Sequence, residues 1–512
     1  MVKRLIIFFV TSTFFFSCEM FIPDFSKENP NVILFFVDDL GYGELGVYGQ
    51  RIIQTRNIDA LANNGVLFTQ FYSGSPVCAP SRSVLLTGMH SGHTYIRGNH
   101  EWGERGDVWS YEKMFEDPNL EGQYPIKQSI TTLSKVLSEG GYKTGMVGKW
   151  GLGGPNSTSV PTTMGFDYFY GYNCQRIAHN LYPPHLWENE NKVLLDNELV
   201  SPRTKLKEDA DPYDDSSYDL FFQNEYAPDL MHQKALEFIN ENKNDPFFLY
   251  YASPLPHAPL QVPKPLIEKY KNLIGAEEPY LGDKGYFPHR NPKAAYAAMI
   301  EYIDIQVGEI IQKLKDEGIY ENTIIMFTSD NGPTYAGGVD ANYFNSTGIF
   351  QNDKSRMKGY TYEGGIRVPF IVSWPEKIKN NRVENEISAS YDLFPTICDM
   401  IKIPYPKTLD GISLKSTILN EGNQNHHEYL YWEFPAYNGQ QAIRLGKWKA
   451  IRNNIFKGNK SIELYDLEKD LKETNDLADS NPIIIKKVEE IFLREHVKSE
   501  IDRFRLGYID EE

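Results

Sequence analysis

Cys78 opens the run Cys78-Ala79-Pro80-Ser81-Arg82, and Ser83-Val84-Leu85-Leu86-Thr87-Gly88 then reads as a helix ended by glycine. A cysteine so placed stands near a helix N-terminus. Unpaired N–H groups there favour negative charge, on a nucleophile or on a bound anion. Taken alone, the pentapeptide also reads as a buried cysteine ahead of a proline turn. Elsewhere, Asp38, Asp39, Asp330 and Asn331 form an oxygen-only set, the ligand type of a hard divalent cation such as calcium or magnesium. A lone Asp-Asp pair reads more simply as a solvated turn or helix cap. Lys149 and Lys358 add cations, and His257 adds an acid or base that works near neutral pH. No Cys/His spacing suggests zinc.

These residues share a position relative to the apolar runs. Asn31 to Val37 runs into Asp38-Asp39, and Thr323 to Thr328 into Ser329-Asp330-Asn331-Gly332. Tyr142 to Val147 ends at Gly148-Lys149-Trp150, and Phe247 to Ala252 leads to Pro256-His257. Arg367 to Trp374, entered from Lys358 to Gly365, reads as a further strand. All are read as buried parallel strands of an α/β sheet, and ligands bind beyond the carboxyl ends of such strands. Ile130 to Gly140 and Ala295 to Glu317 are amphipathic and supply covering helices.

The chain has 512 residues, enough for one large domain and a smaller one. Its formal charge of −17 argues against nucleic-acid binding, which needs a basic surface. An anionic substrate stays compatible, because a few converging cations outweigh distant acids screened beyond ~8–10 Å. At the N-terminus, Lys3 and Arg4 precede the apolar stretch Leu5 to Phe16 and then Ser17-Cys18. That stretch is short for a membrane span and fits a signal-peptide core. Ser17-Cys18 resembles a bacterial lipoprotein cleavage site. The expected order is therefore a signal peptide over 1–17, a tether over 18–29 with Cys18 lipidated, a catalytic domain over 30–400 and a subdomain over 401–512. The expected location is the periplasm or outer membrane of a Gram-negative bacterium, with the lipid anchor as the only membrane attachment. Cys174 and Cys398 are left either paired or as buried thiols.

From about Asn31 to about Ala478, the motifs resemble those of the type I sulfatases and occur in that family's order. They are Asp38-Asp39, Cys78 to Arg82, Gly148-Lys149-Trp150, Pro256-His257, Asp330-Asn331-Gly332 and Lys358 to Pro369. The resemblance implies an α/β, alkaline-phosphatase-like sandwich around a large mixed sheet, with a smaller C-terminal α/β subdomain carrying an antiparallel sheet. Ala442 to Arg452 and Ser461 to Leu467 are its two strand-like runs, read as a hairpin. It also implies that Cys78 is oxidised by a maturase to formylglycine (3-oxoalanine), whose hydrated aldehyde is the nucleophile. Asp38, Asp39, Asp330, Asn331 and residue 78 would hold one calcium ion. Arg82 would steady the nucleophile, Lys149 and Lys358 would bind sulfate oxygens, and His257 would protonate the leaving oxygen or help bind sulfate.

One departure stands out. The family commonly reads Gly-Lys-Trp-His-Leu-Gly, and here Gly151 replaces the histidine that assists hydrate breakdown. Either another base serves, with His179 the candidate, or turnover proceeds without one. Tyr95-Ile96-Arg97-Gly98-Asn99 resembles a sugar-binding segment of galactose- and N-acetylgalactosamine-sulfate sulfatases. Arg97, Asn99, His179 and His185 are therefore the candidate sugar contacts, with an ordinary loop as the alternative. Trp102, Trp109, Trp187 and Trp432 are read as core residues before sugar platforms. The expected substrate is a sulfated glycan of galactose type, 4-O-sulfate ahead of 6-O. The rivals are a formylglycine-dependent phosphodiesterase or phosphonate monoester hydrolase, and an inactive surface glycan-binding protein.

Overall fold

The structure, a computed structural model, describes residues 29–511. Cys18 and the export segment lie outside the described residues. Five strands form the parallel centre of a ten-stranded mixed sheet, in the spatial order Thr323–Ser329, Asn31–Val37, Phe247–Ala252, Lys143–Lys149 and Tyr168–Tyr172. Along Asn31–Val37 the side chains alternate between two cores. Ile33, Phe35 and Val37 enter one, and Val32, Leu34 and Phe36 the other. Both faces are thus covered, which is why these strands are apolar throughout rather than alternating. The helix Pro292–Asp316 covers one face with Ile303, Val307 and Ile310. Helices Cys78–Thr87 and Leu393–Ile401 cover the other with Leu85, Leu86, Phe394 and Ile397.

Three readings of the sequence need correction. Phe370–Ser373, inside the run Arg367 to Trp374, is antiparallel to both of its neighbours. Its burial on both faces made it read as parallel. Ala442 to Arg452 is not one strand: Gln440–Leu445 and Trp448–Asn453 pair antiparallel around Gly446, whose φ of +54° suits a tight turn. With Leu430–Phe434 and Glu463–Asp466 they form a separate four-stranded antiparallel sheet. Finally, the helix expected from Ile130 begins at Leu133, where the Thr132 hydroxyl accepts from the Lys135 N–H. Cys174 and Cys398 are both free, and they lie in the two separate cores on opposite sides of the large sheet.

The small sheet grips the segment that follows Lys358. The Gln440 carboxamide donates to the Gly359 carbonyl (2.7 Å) and accepts from the Thr361 N–H (3.0 Å). The Trp432 indole donates to the Ser73 carbonyl (2.9 Å). Between these contacts lies a buried ionic cluster. Glu363 accepts from Lys449 Nζ (2.9 Å), Arg367 Nη1 (3.0 Å) and the Tyr72 hydroxyl (2.8 Å). Burial works against ionisation of Glu363, but Lys449, Arg367 and Arg444 together hold its pKa below the usual carboxylate range. Removing one partner of a buried pair strands the other charge. Lys449→Met is therefore expected to cost ~3–5 kcal/mol in chemical denaturation near neutral pH. Glu363 has a lowered folded pKa, so its contribution is complete above ~4.3 and is lost as the pH falls toward the lowered value. Titrating stability from pH 6 downward, wild type and variant should converge; parallel curves would contradict this account.

Candidate active site

Parallel register assembles the acidic set. Val37 is paired with Ser329, so the two residues after each strand emerge side by side. The Asp39 N–H donates to Asp330 Oδ1 (3.0 Å), and Asn331 Nδ2 donates to Asp39 Oδ1 (2.8 Å). Asp39 adopts a left-handed backbone, φ +69°, which only such surroundings hold in place. All four residues are fully buried.

Cys78 is the first residue of its helix, and its thiol donates to Asp38 Oδ1 (3.2 Å). Four residues on, and so on the same helix face, Arg82 reaches Asp330 Oδ2 (3.0 Å) and Asp38 (3.6 Å), and donates to the Lys149 carbonyl (2.8 Å). Lys149, at the end of its strand, is paired with Asp38. Lys358 Nζ lies 2.6 Å from Asp39 Oδ1 and 3.6 Å from Cys78 Sγ. His257 Nδ1 is 2.5 Å from the Ala258 carbonyl, so that nitrogen carries the proton and Nε2 is left bare, 3.6 Å from Asp39 Oδ2. The structure thus brings Asp38, Asp39, Cys78, Arg82, Lys149, His257, Asp330, Asn331 and Lys358 into one site.

The electrostatics of the site point to a cation. Burial opposes charge on Asp38, but Lys149, His257, Arg82 and Lys358 hold its pKa well down. Asp39 is pushed up by burial and by Asp38, and Asp330 likewise. Three carboxyls therefore share a space in which their mutual repulsion and burial leave two inclined to keep a proton. Asn331 Oδ1 is buried without a partner. A hard divalent cation fits this donor set: it would let all three acids ionise and would give that oxygen a partner. The ligand atoms of Asp38, Asp39, Cys78 and His257 all lie within 4.8 Å of one another. Burial, and then the charge of Asp38, pushes the Cys78 thiol up to about 12, so as a thiol it is not a nucleophile near pH 7.

A cavity of about 420 Å³ opens over Cys78, His257 and Lys358. Among the expected sugar contacts, Asn99 and His179 line it. Asn99 Oδ1 also accepts from the Ala79 N–H (2.8 Å), which fixes the start of the Cys78 helix. The His179 ring stacks on His257 at 4.9 Å, and burial and the charges nearby hold it neutral. The structure does not bring Arg97 or His185 to this cavity. Arg97 is buried against Glu433 and the Val497 carbonyl, tying its loop to the C-terminal segment. His185 is fully buried, with Nε2 on Glu121 (2.9 Å). Sequence reasoning missed Gln175. Gly151 has φ +75°, and a Cβ there would lie 2.6 Å from Gln175 Nε2, so a neutral amide occupies the space beside Gly151. The visible signal was the glycine itself, whose missing side chain makes room for another.

A family model described as Sulfatase matches residues 30–403, and one described as N-sulphoglucosamine sulphohydrolase, C-terminal, matches 353–499. N-acetylgalactosamine-6-O-sulfatase of Bacteroides thetaiotaomicron is 29% identical, with 91% of this chain and 93% of that protein covered. Human arylsulfatase A is 31% identical, with 82% and 74% covered. Among solved structures, Ps i-CgsB in complex with k-i-k-neocarrahexaose superposes with a TM-score of 0.70 at 25% identity, covering 91% and 93%. The phosphonate monoester hydrolase of Agrobacterium radiobacter shares the fold (TM-score 0.61, 20% identity, 91% and 95% covered). The ordered acids, cations and cysteine around one cavity, on this alkaline-phosphatase-like sandwich, agree with those matches: the chain belongs to the sulfatase family, hydrolases of sulfuric esters.

Proposed function

We propose that this sulfatase removes sulfate from galactose or N-acetylgalactosamine residues of a glycan, using formylglycine made from Cys78 by a maturase. The observation that carries the reading is the state of Cys78. It heads a helix beside Asp38, within reach of Lys358, with a thiol that stays protonated. An active nucleophile there needs another functional group, and oxidation to the aldehyde would supply the hydrate oxygen that attacks sulfur. Asp38, Asp39, Asp330 and Asn331 would hold calcium, which would draw charge from the sulfate oxygens when bound.

The chain's own residues account for the remainder. Arg82, fixed on Asp330, holds positive charge behind the nucleophile. Lys149 and Lys358 are paired with Asp38 and Asp39; with a cation held by those acids, the two ammonium groups would be available to bind the anionic substrate. Burial and the charge of Lys358 depress the proton affinity of His257. A sulfate anion offsets that charge, so Nε2 takes up a proton as substrate binds and returns it to the leaving sugar oxygen. Gln175 cannot act as the base missing at Gly151. His179, neutral and stacked on His257, takes that role in this reading.

Several relatives are named for 6-sulfated N-acetylgalactosamine, which weighs against the expected preference for position 4. We assign position 6. Export and lipidation at Cys18 remain part of the proposal; among the described residues no helix is long and apolar enough to cross a membrane.

Co-expression with a maturase should lower the mass of the Cys78 peptide by ~18 Da, and Cys78→Ala should reduce turnover roughly a thousandfold or more with the fold intact. An unmodified thiol in active protein would overturn the nucleophile assignment. Asp39→Asn and Asp330→Asn should each weaken calcium binding at least about tenfold by calorimetry, alongside a loss of rate. Unchanged affinity would remove those residues from the metal site. Hydrolysis of 6-O- over 4-O-sulfated N-acetylgalactosamine decides the position, and turnover of a phosphate diester instead would move the reaction class.

A further inference from the structure

The far wall of the cavity differs from its floor. Trp109 lines it and is 61% exposed, against the expectation that it packs in the core; Trp187 and Trp432 do pack there. Beneath the indole, the Arg176 guanidinium lies 5.2 Å from the ring centre and donates to the Trp109 carbonyl, so the two side chains hold one another in place. Arg176 Nε is buried without a partner. Arg203, exposed, lines the same cavity. Neither arginine forms an ion pair within the chain among the described residues. The acid of this wall, Glu101, is buried and shares its oxygens with Gln123 Nε2 (2.6 Å) and the Cys174 thiol (3.6 Å). Burial pushes it up to about 8 in spite of the nearby Arg176, so at pH 7 it does not cancel the arginines. In a chain of net charge −17, this wall is cationic and bears an exposed indole.

Exposed tryptophan and unpaired arginine together are the composition of a binding hot spot rather than of a solvated face. Guanidinium groups match carboxylate or sulfate oxygens in a bidentate fork. The sulfate to be cleaved is already served by Lys149 and Lys358, so these cations face another anion. We propose that Trp109, Arg176 and Arg203 form a second subsite for the sugar adjoining the sulfated one, with the indole against the ring and the guanidinium groups on an anionic substituent of that neighbour. The substrate is then an oligosaccharide with negative charge on successive sugars, an inference that rests on the glycan reading above and narrows it.

The test measures affinity by calorimetry on full-length Cys78→Ala protein, so that no ligand is consumed. The probes are N-acetylgalactosamine-6-sulfate, a chondroitin 6-sulfate tetrasaccharide and the same tetrasaccharide with its carboxylates reduced to alcohols. The native tetrasaccharide should bind at least about tenfold more tightly than the monosaccharide, and the gain should shrink with added salt. Arg176→Ala with Arg203→Ala should bring that ratio down to about two or less, and Arg176→Lys with Arg203→Lys should restore part of it. Loss of the gain on carboxyl reduction identifies a uronate as the neighbour's anion; persistence overturns the placement of the guanidinium groups on the adjoining sugar, whose only charge in this probe is its carboxylate. A ratio that is absent in the parent protein, or that survives in the double alanine variant, overturns the subsite. Hydrolysis of the monosaccharide by matured wild-type protein reports separately on the sugar assignment, so failure of one reading does not pass for failure of the other.

Discussion

The site depends on one pairing, the in-register parallel contact between Asn31–Val37 and Thr323–Ser329. Residues separated by almost 300 positions become neighbours only because both strands stop at the same level. A one-residue slip would exchange the two faces of either strand and put its apolar residues in the wrong core. The alternation of Val32, Leu34 and Phe36 against Ile33, Phe35 and Val37 therefore fixes more than stability. It fixes where the Asp330 carboxylate and the Asn331 carboxamide meet Asp39, and hence where a cation would sit relative to Cys78.

That meeting point is costly without an ion. Three buried carboxyls confront two lysines, an arginine and a neutral imidazole, and the lysines fold onto the acids. In a site built in this way Asp38, Asp39 and Asp330 would hold a divalent cation, and Lys149 and Lys358 would then be available to an anion. Metal and sulfate would thereby be linked in binding, since each would remove the partner that otherwise competes for the other.

Much of this was legible in the chain because chemistry-bearing residues follow directly on apolar runs. Asp38 after Val37 and Lys149 at the end of its strand are local features, and a parallel sheet collects such features at one edge. What escaped was decided by tertiary packing. Arg97 and His185 have residue types suited to sugar, but Glu433 and Glu121 claim them, from about 340 and 60 positions away. The direction of Phe370–Ser373 was hidden because a strand buried on both faces looks the same in either sense. Trp109 looked like core material by its type, and only the partnership with Arg176 shows it at the cavity mouth.

The hairpin of the small sheet joins two duties in one short piece of chain. Its strands Leu430–Phe434 and Gln440–Leu445 supply Gln440, which brackets the segment after Lys358, and Phe434 at the cavity wall, while the turn between them adds Ala436 and Tyr437 to that wall. Tyr437 lies over Gly359, where φ is +90° and a Cβ would approach the tyrosine ring at 2.8 Å. Such a turn can vary in length and composition in descendants of this chain while the flanking strands keep the lysine in place. New sugar preferences can then arise by drift at a surface loop, with no mutation at any residue that touches sulfur.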